Sequence, residues 1–171
     1  MSQEELAKYD KYLNDKITSI PKGSRPDPST YLSKDYMEQH LKKFENGGSF
    51  VMTRDQYEWY VEGNNFIGFD DNTQFVAPKD FMDKIEKVAN GDISVYEKML
   101  GFDEGYFQSG GGLVRFDVMN INDLQIRMPS GNEAGANLHW IPGGFTDGGT
   151  PEAIINKIPN NDNYIKISFI N

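Results

Sequence analysis

Apolar residues at the start of the chain recur with the spacing of one helix face. Leu6, Tyr9, Tyr12, Leu13 and Ile17 follow steps of three, four and one residues. This pattern predicts an amphipathic helix over residues 3–18. The following segment, residues 20–30, contains three prolines, which predict a turn or linker.

A second helix is predicted after the linker. Ser33 is a suitable N-cap because its hydroxyl can accept a backbone N–H bond of the first turn. Apolar positions then recur up to Phe44, and the Asn46-Gly47-Gly48 run ends the pattern.

The pattern changes to strands from Ser49 onward. Residues 49–53 predict one strand, and residues 65–78 predict a hairpin that turns at Asp71-Asn72. Two short helices follow, one capped by Asp80 and ending at Ala89, the other capped by Asp92 and ending at Gly101. Four β-rich runs complete the chain, at residues 111–118, 124–129, 151–158 and 164–170.

Because helices come first and strands mostly after, the chain is predicted to be an α+β domain. Its 171 residues suit a single domain spanning 1–171, with a helical lead-in over 1–48 and a core over 49–171.

Composition excludes several functions. The absence of cysteine excludes disulfides, thiolate metal sites and cysteine nucleophiles, and two histidines far apart make a metal site improbable. No apolar run reaches the roughly 18 residues of a membrane span, and the first residues lack a signal-peptide pattern. The net charge is -9, and residues 51–110 carry five basic against twelve acidic residues. Without a basic stripe, binding to an extended nucleic-acid duplex is disfavoured.

Glycine and polar residues concentrate near the C-terminal end, in residues 110–158. Eleven of the 17 glycines lie between Gly101 and Gly149. This density predicts loops that approach a phosphorylated ligand closely, although a long loop over the sheet edge would also use such residues. Candidate polar and aromatic residues within it are Arg127, Ser130, Asn132, Glu133, Asn137, His139, Trp140, Thr146 and Glu152.

Glu152 stands immediately before an apolar strand and after two glycine pairs. A carboxylate at that point is fixed by the sheet and can face an open cleft, where it would stabilise a developing cation or orient a hydroxyl. A solvated glutamate at a strand end is the alternative.

The segments MPSGNEAG and IPGGFTDGGTPEAIINKIPNNDNYIKI resemble the end of the bacterial ADP-ribosyltransferase toxins and of the NAD-glycohydrolase toxins. In those proteins a strand, a Pro-x-Gly turn and a loop precede a catalytic Glu, which an aliphatic strand, a turn and a last strand follow. The resemblance covers about the last 45 residues. It also indicates a C-terminal effector domain of a bacterial polymorphic toxin.

The resemblance implies a fold in which N-terminal helices pack on a mixed, strongly twisted sheet. It implies NAD as the substrate, no metal, and Glu152 as the group that stabilises the ribosyl cation. An arginine would hold the diphosphate: Arg54 has the expected position in the chain order, Arg115 the better setting on a strand, and Arg127 is a third candidate. Further residues expected to contact NAD are Ser109, Asn132, Glu133, Trp140 (by stacking), Gly143, Gly144 and Thr146.

One departure from the family pattern favours hydrolysis of NAD. The family carries Glu or Gln two residues before the catalytic Glu to position an acceptor, whereas this chain has Thr150 there. A protein acceptor and a cognate immunity protein remain candidate partners. The resemblance implies a secreted or delivered effector that acts in the cytoplasm of a target cell.

Two other functions fit the residues. In a metal-independent ribonuclease, His139 would serve as acid or base, with Arg127 or Arg115 on the phosphate and Thr146 assisting. His40, on an apolar helix face, is expected to be packed in the core instead. Alternatively, the acidic surface would make the chain an immunity or binding protein for a basic partner.

Overall fold

The computed structural model describes residues 3–170, with side chains from Lys11 onward. The first helix, α1, spans Gln3–Thr18, as the apolar spacing predicts. Leu13 and Ile17 are buried, whereas Tyr12 of the predicted apolar face is exposed. The side chains of Leu6 and Tyr9 lie outside the described part. The proline-rich segment contains one short 3-10 turn, Pro28–Thr30.

Helix α2 spans Lys34–Leu41 and continues as a 3-10 turn, Lys42–Phe44. Ser33 is its N-cap, since the hydroxyl accepts a hydrogen bond from the backbone N–H of Tyr36. Both the cap and the end of the helical region near Phe44 confirm the sequence prediction.

Strand β1, Gly48–Thr53, runs directly into helix α3, Arg54–Tyr60. Thr53 and Gln56 form a reciprocal capping box at the start of this helix. Helix α3 was not predicted from the sequence, although the Thr-x-x-Gln spacing is a recognised helix-start signal.

The predicted hairpin over residues 65–78 is wrong in its pairing. The segment contains β2, Phe66–Ile67, and β3, Gln74–Pro78, and the chain turns between them at Asn72 with a positive φ of 63°. The two strands do not pair with each other: β3 pairs with β1, and β2 pairs with a strand near the C-terminal end.

Helices α4, Lys79–Ala89, and α5, Ile93–Leu100, follow β3. Asp92 caps α5 and Gly101 ends it, as predicted. The N-cap of α4 is Pro78, however, and the Asp80 carboxylate accepts a hydrogen bond from the Asn46 amide instead. The β-rich end contains strand β4, a 3-10 turn and five further strands: Leu113–Val118 (β4), Ile121–Leu124 (3-10 turn), Trp140–Ile141 (β5), Phe145–Thr146 (β6), Ala153–Ile155 (β7), Ile158–Pro159 (β8) and Ile165–Ile170 (β9).

The main sheet has five strands in the order β7-β3-β1-β4-β9. Each of its pairings is antiparallel, so the fold is α+β but the expected mixed sheet is wrong. The run at residues 124–129 forms no strand and contributes only a bridge between Arg127 and Ile154.

Both faces of the sheet are covered, because alternate residues of a strand point to opposite faces. On one face, Phe50, Val76 and Phe116 join the turn residue Phe44 in an apolar core. On the other face, Val51 and Ala77 pack with α4 and α5 through Met82, Ile85 and Tyr96.

Helix α1 lies against the glycine-rich segment, where Leu13 and Ile17 pack with Ala136 and Trp140. The N-terminal lead-in therefore braces the segment that contains the candidate site residues. This contact positions the site described next.

Candidate functional site

A deep cleft of about 870 Å³ opens between the sheet and the glycine-rich segment. This volume lies within the range of small-molecule sites, roughly 300 to 1,000 Å³. Its lining comes from β1, β3, the residues after α5, the linker after α1, and residues 134–140. The polar and aromatic members are Lys22, Arg25, Ser49, Phe50, Gln56, Tyr60, Phe69, Asp70, Gln74, Phe75, Phe102, Asp103, Tyr106, Phe107, Asn137, His139, Trp140, Thr146, Thr150 and Glu152.

Glu152 lines the cleft immediately before β7. Its backbone is fixed on both sides: the N–H donates to the Gly144 carbonyl at 2.8 Å, and the C=O accepts from His40 Nε2 at 2.8 Å. Val76 pairs with Ala153 and Ala77 with Ser49, so Glu152 lies at the same level of the sheet as Ala77 and Ser49.

The carboxyl of Glu152 is available to a ligand. Among residues 11–170, no side chain or backbone group donates a hydrogen bond to it, although the residue is part-buried. Burial, with smaller contributions from the negative charges of Glu133 and Asp147, raises the pKa of Glu152 to about 8. Such a shifted, unpaired carboxyl in a cleft is typical of a functional group.

His40 supports Glu152 from outside the cleft. It is 2% exposed, and its ring lies against Tyr36, Phe44 and Phe145. Burial lowers its pKa, and the neutral ring donates from Nε2 to the Glu152 carbonyl. The prediction that His40 is packed in the core is confirmed.

Gly144 and Gly143 shape the backbone near Glu152. Gly144 has a φ of 83°, and a Cβ at this position would lie 2.4 Å from His40 Nε2. Only glycine therefore permits the His40 contact. The Gly143 carbonyl accepts a hydrogen bond from the Tyr36 hydroxyl at 2.6 Å, so the predicted ligand glycines hold the loop on α2.

Trp140 is not free to stack on a ligand ring. It is 5% exposed, its inner side packs with Leu13 and Ile17, and the Arg25 guanidinium lies over its ring, 4.8 Å from the centroid. The expected stacking of nicotinamide or adenine on Trp140 is therefore replaced by stacking of Arg25. No residue in the described part of the chain accepts a hydrogen bond from the indole Nε1.

Asn132 and Glu133 hold the loop together rather than facing the cleft. The Asn132 amide oxygen accepts from the N–H groups of Gly23 and Arg25, and its nitrogen donates to the Arg25 carbonyl. The Glu133 carboxylate accepts from the backbone of Ser130 and Gly131 and from the Ser130 hydroxyl. The side chains of Asn132 and Glu133 are therefore bound within the loop and the linker, although the sequence predicted that they contact NAD.

His139 lies in the cleft wall between two carboxylates. Its Nδ1 is 2.6 Å from Asp147 and its Nε2 is 2.7 Å from Asp103. Hydrogen bonds to Asp103 and then to Asp147 raise its pKa, which favours an imidazolium that donates from both nitrogens. Neither nitrogen then has a lone pair to act as a general base, so of the two roles expected of His139 in a nuclease this geometry leaves only that of the acid.

Thr146 and Thr150 are buried in the cleft lining, and both hydroxyls donate to the Met99 carbonyl at the end of α5, at 2.7 and 2.6 Å. Their role is to attach the loop to this helix.

The three arginines expected to hold a phosphate all lie away from the cleft lining. Arg115 is buried on the α4 side of the sheet, where Asp83, Glu86 and Asp117 neutralise it. Arg127 donates to Gln125 and Asn156, and exposed Arg54 stacks on Phe169 at 4.6 Å. Ser109 is likewise exposed and outside the lining.

The structure adds three site residues that the sequence analysis missed. Lys22 and Arg25 of the proline-rich linker line the cleft. Ser49 lines it from β1, is buried, and its hydroxyl has no hydrogen-bond partner in the described part of the chain. The position of Ser49 at the start of a strand gave no signal, and the place of Lys22 and Arg25 in the cleft depends on contacts with the distant segment 131–140.

The described residues, 3–170, contain neither a metal-binding cluster nor a membrane-spanning helix. Among them no group of His, Cys, Asp and Glu could hold a metal ion. None of their helices is both long and apolar enough to cross a bilayer. Compared with models of known protein families and with curated proteins, the sequence has no match.

Proposed function

We propose that the protein consumes NAD by cleaving the bond between nicotinamide and ribose, and that hydrolysis is the main outcome. The observation that carries this proposal is the unpaired carboxyl of Glu152 in the wall of an 870 Å³ cleft. The cleft is large enough for a dinucleotide to enter at least in part, and its lining supplies the aromatic and polar groups that such a ligand needs.

In the proposed reaction, the bond between the ribose C1′ and the pyridine nitrogen breaks, and its electron pair leaves with neutral nicotinamide. The ribose becomes an oxocarbenium ion, which the Glu152 carboxylate stabilises by its negative charge. Water then adds to C1′ and loses a proton, which gives ADP-ribose. Because the nicotinamide ring of NAD is positively charged, its binding also favours the ionised form of Glu152.

The order of elements supports the resemblance to the ADP-ribosyltransferase and NAD-glycohydrolase toxins. Arg127 forms a strand-like bridge, Glu133 caps the Pro-x-Gly turn, and Glu152 precedes the aliphatic strand β7. The bend and turn residues 160–164 after β8 lead into the last strand, β9. The turn, the Glu before an aliphatic strand and the last strand follow the succession that the resemblance implies, whereas the strand expected before the turn is reduced to a single bridge.

The position of Thr150 supports hydrolysis over transfer to a protein. Its side chain is fully buried and its hydroxyl donates to the Met99 carbonyl at 2.6 Å. A group used to position an acceptor must face the reaction site, so Thr150 is a poor substitute for the Glu or Gln of the transferases.

Proton NMR of the protein with NAD tests the proposal. We expect free nicotinamide and ADP-ribose to appear with the wild-type protein. Glu152→Gln should not produce them, whereas Glu58→Gln, which changes an exposed residue of α3, should still do so. NAD that stays intact with the folded wild-type protein would refute it.

A further inference from the structure

We infer that Lys22 and Arg25 form an anion site for a diphosphate, so that the linker before α2 completes the cleft. This inference deepens the proposed function and rests on it for the identity of the ligand as a dinucleotide. Both residues line the cleft beside Ala134, Ala136 and Trp140.

Arg25 is held in one orientation by three contacts. Its Nε donates to the Ile20 carbonyl at 3.0 Å and its Nη1 to the Gly131 carbonyl at 2.8 Å, while Trp140 supports its flat face. A guanidinium has five N–H donors. Two of them are used here, and a planar group that is already fixed loses little entropy when it binds a phosphate.

Lys22 is fixed by the same segment, residues 131–140, that holds Arg25. Its ammonium donates to the carbonyls of Ala134 and Ala136, at 3.0 and 2.8 Å. An ammonium has three donors, so one N–H remains for a ligand.

Neither cation has a counter-ion. Within the described part of the chain, no carboxylate lies within 4.0 Å of Lys22 or Arg25, although the protein has a net charge of -9. Arg115, by contrast, forms ion pairs with three carboxylates. Two immobilised cations with spare donors and no carboxylate partner suit two adjacent phosphate groups.

The Asn132 bonds to Gly23 and Arg25 make this site dependent on the docked linker. Residues 131–140 hold the two cations, whereas Gly144 and His40 hold the backbone of Glu152, so different segments position the two parts of the site. An extended ligand could therefore have its diphosphate at the linker and its reacting bond at Glu152.

Binding of ADP to the full chain tests the inference. The chain has two tryptophans, so Trp59→Phe leaves Trp140, which lies beside Arg25, as the only tryptophan for selective excitation. We expect ADP to change this fluorescence and inorganic pyrophosphate to compete with it. Arg25→Gln and Lys22→Gln should each weaken ADP binding about tenfold or more, with little effect on adenosine.

Arg54→Gln is the matched control, because Arg54 is exposed and outside the cleft, and ADP binding should not change. Thermal unfolding of Lys22→Gln distinguishes a loss of ADP binding from a loss of folding. We expect this variant to remain folded. Unchanged ADP binding in both cleft variants would overturn the inference, as would displacement of ADP by short single-stranded RNA but not by pyrophosphate. ADP lacks the nicotinamide bond, so binding of ADP without NAD cleavage would refute the proposed function alone.

Discussion

Replacing Glu152 by glutamine should remove a pH-dependent penalty from the folded state. In the folded protein its pKa is raised from 4.5 to about 8. Between these two values the folded protein holds a proton that the unfolded chain releases. The contribution of Glu152 to stability is therefore greatest below pH 4.5 and falls as the pH rises through about 8.

The size of this effect follows from the shift. One pKa unit corresponds to about 1.36 kcal/mol, so the full shift sets a ceiling of roughly 5 kcal/mol at high pH. The carboxyl faces an open cleft, where water reduces the penalty, and we expect roughly 2 kcal/mol.

Urea unfolding of the wild type and Glu152→Gln between pH 5 and pH 8.5 measures this difference. The stability of the variant relative to the wild type should increase with pH across this range. Glu58→Gln, which removes an exposed carboxyl from α3, controls for the change of net charge. A difference between wild type and Glu152→Gln that is the same at every pH would refute the reasoning.

Three further predictions concern activity and loop structure. The kcat/KM for nicotinamide release should rise with pH, reach half its maximum near pH 8 and level off about one pH unit higher, because the free enzyme needs the Glu152 carboxylate; a flat profile over pH 6–8 would contradict this. In urea unfolding, Gly144→Ala should cost at least about 2 kcal/mol because its Cβ meets His40 Nε2, whereas Gly149→Ala, also at positive φ but with open space, should cost about 1 kcal/mol. Arg115→Met should destabilise the fold by about 2 to 4 kcal/mol by leaving three carboxylates together, yet leave the affinity for ADP unchanged in a fluorescence titration.

Local signals in the sequence predicted most helix ends. The caps predicted at Ser33, Asp92 and Gly101 are present in the structure. The apolar spacing at the start of the chain likewise corresponds to α1, Gln3–Thr18. The strand pairings were less accessible. Phe66–Ile67 pairs with Ile158–Pro159, which follows it by some ninety residues, and no local pattern specifies such a partner.

The residues of the candidate site also fall into those that local sequence signals could predict and those that depend on distant contacts. The position of Glu152 in the cleft lining could be predicted, because a carboxylate between paired glycines and an apolar strand has a local signature. Arg25 could not, because its position in the cleft depends on Gly131, Asn132 and Trp140 from a distant segment. Arg115 seemed a suitable phosphate-binding residue because it lies on a strand, but the sequence does not show that α4 places Asp83 and Glu86 beside it.

A crystal structure of Glu152→Gln with NAD would test the central claim most directly, since this variant should bind NAD without cleaving it. We expect the dinucleotide in the cleft, with the diphosphate at Lys22 and Arg25 and the bond between nicotinamide and ribose against residue 152. An empty cleft at saturating NAD, or NAD bound at another surface, would contradict the account.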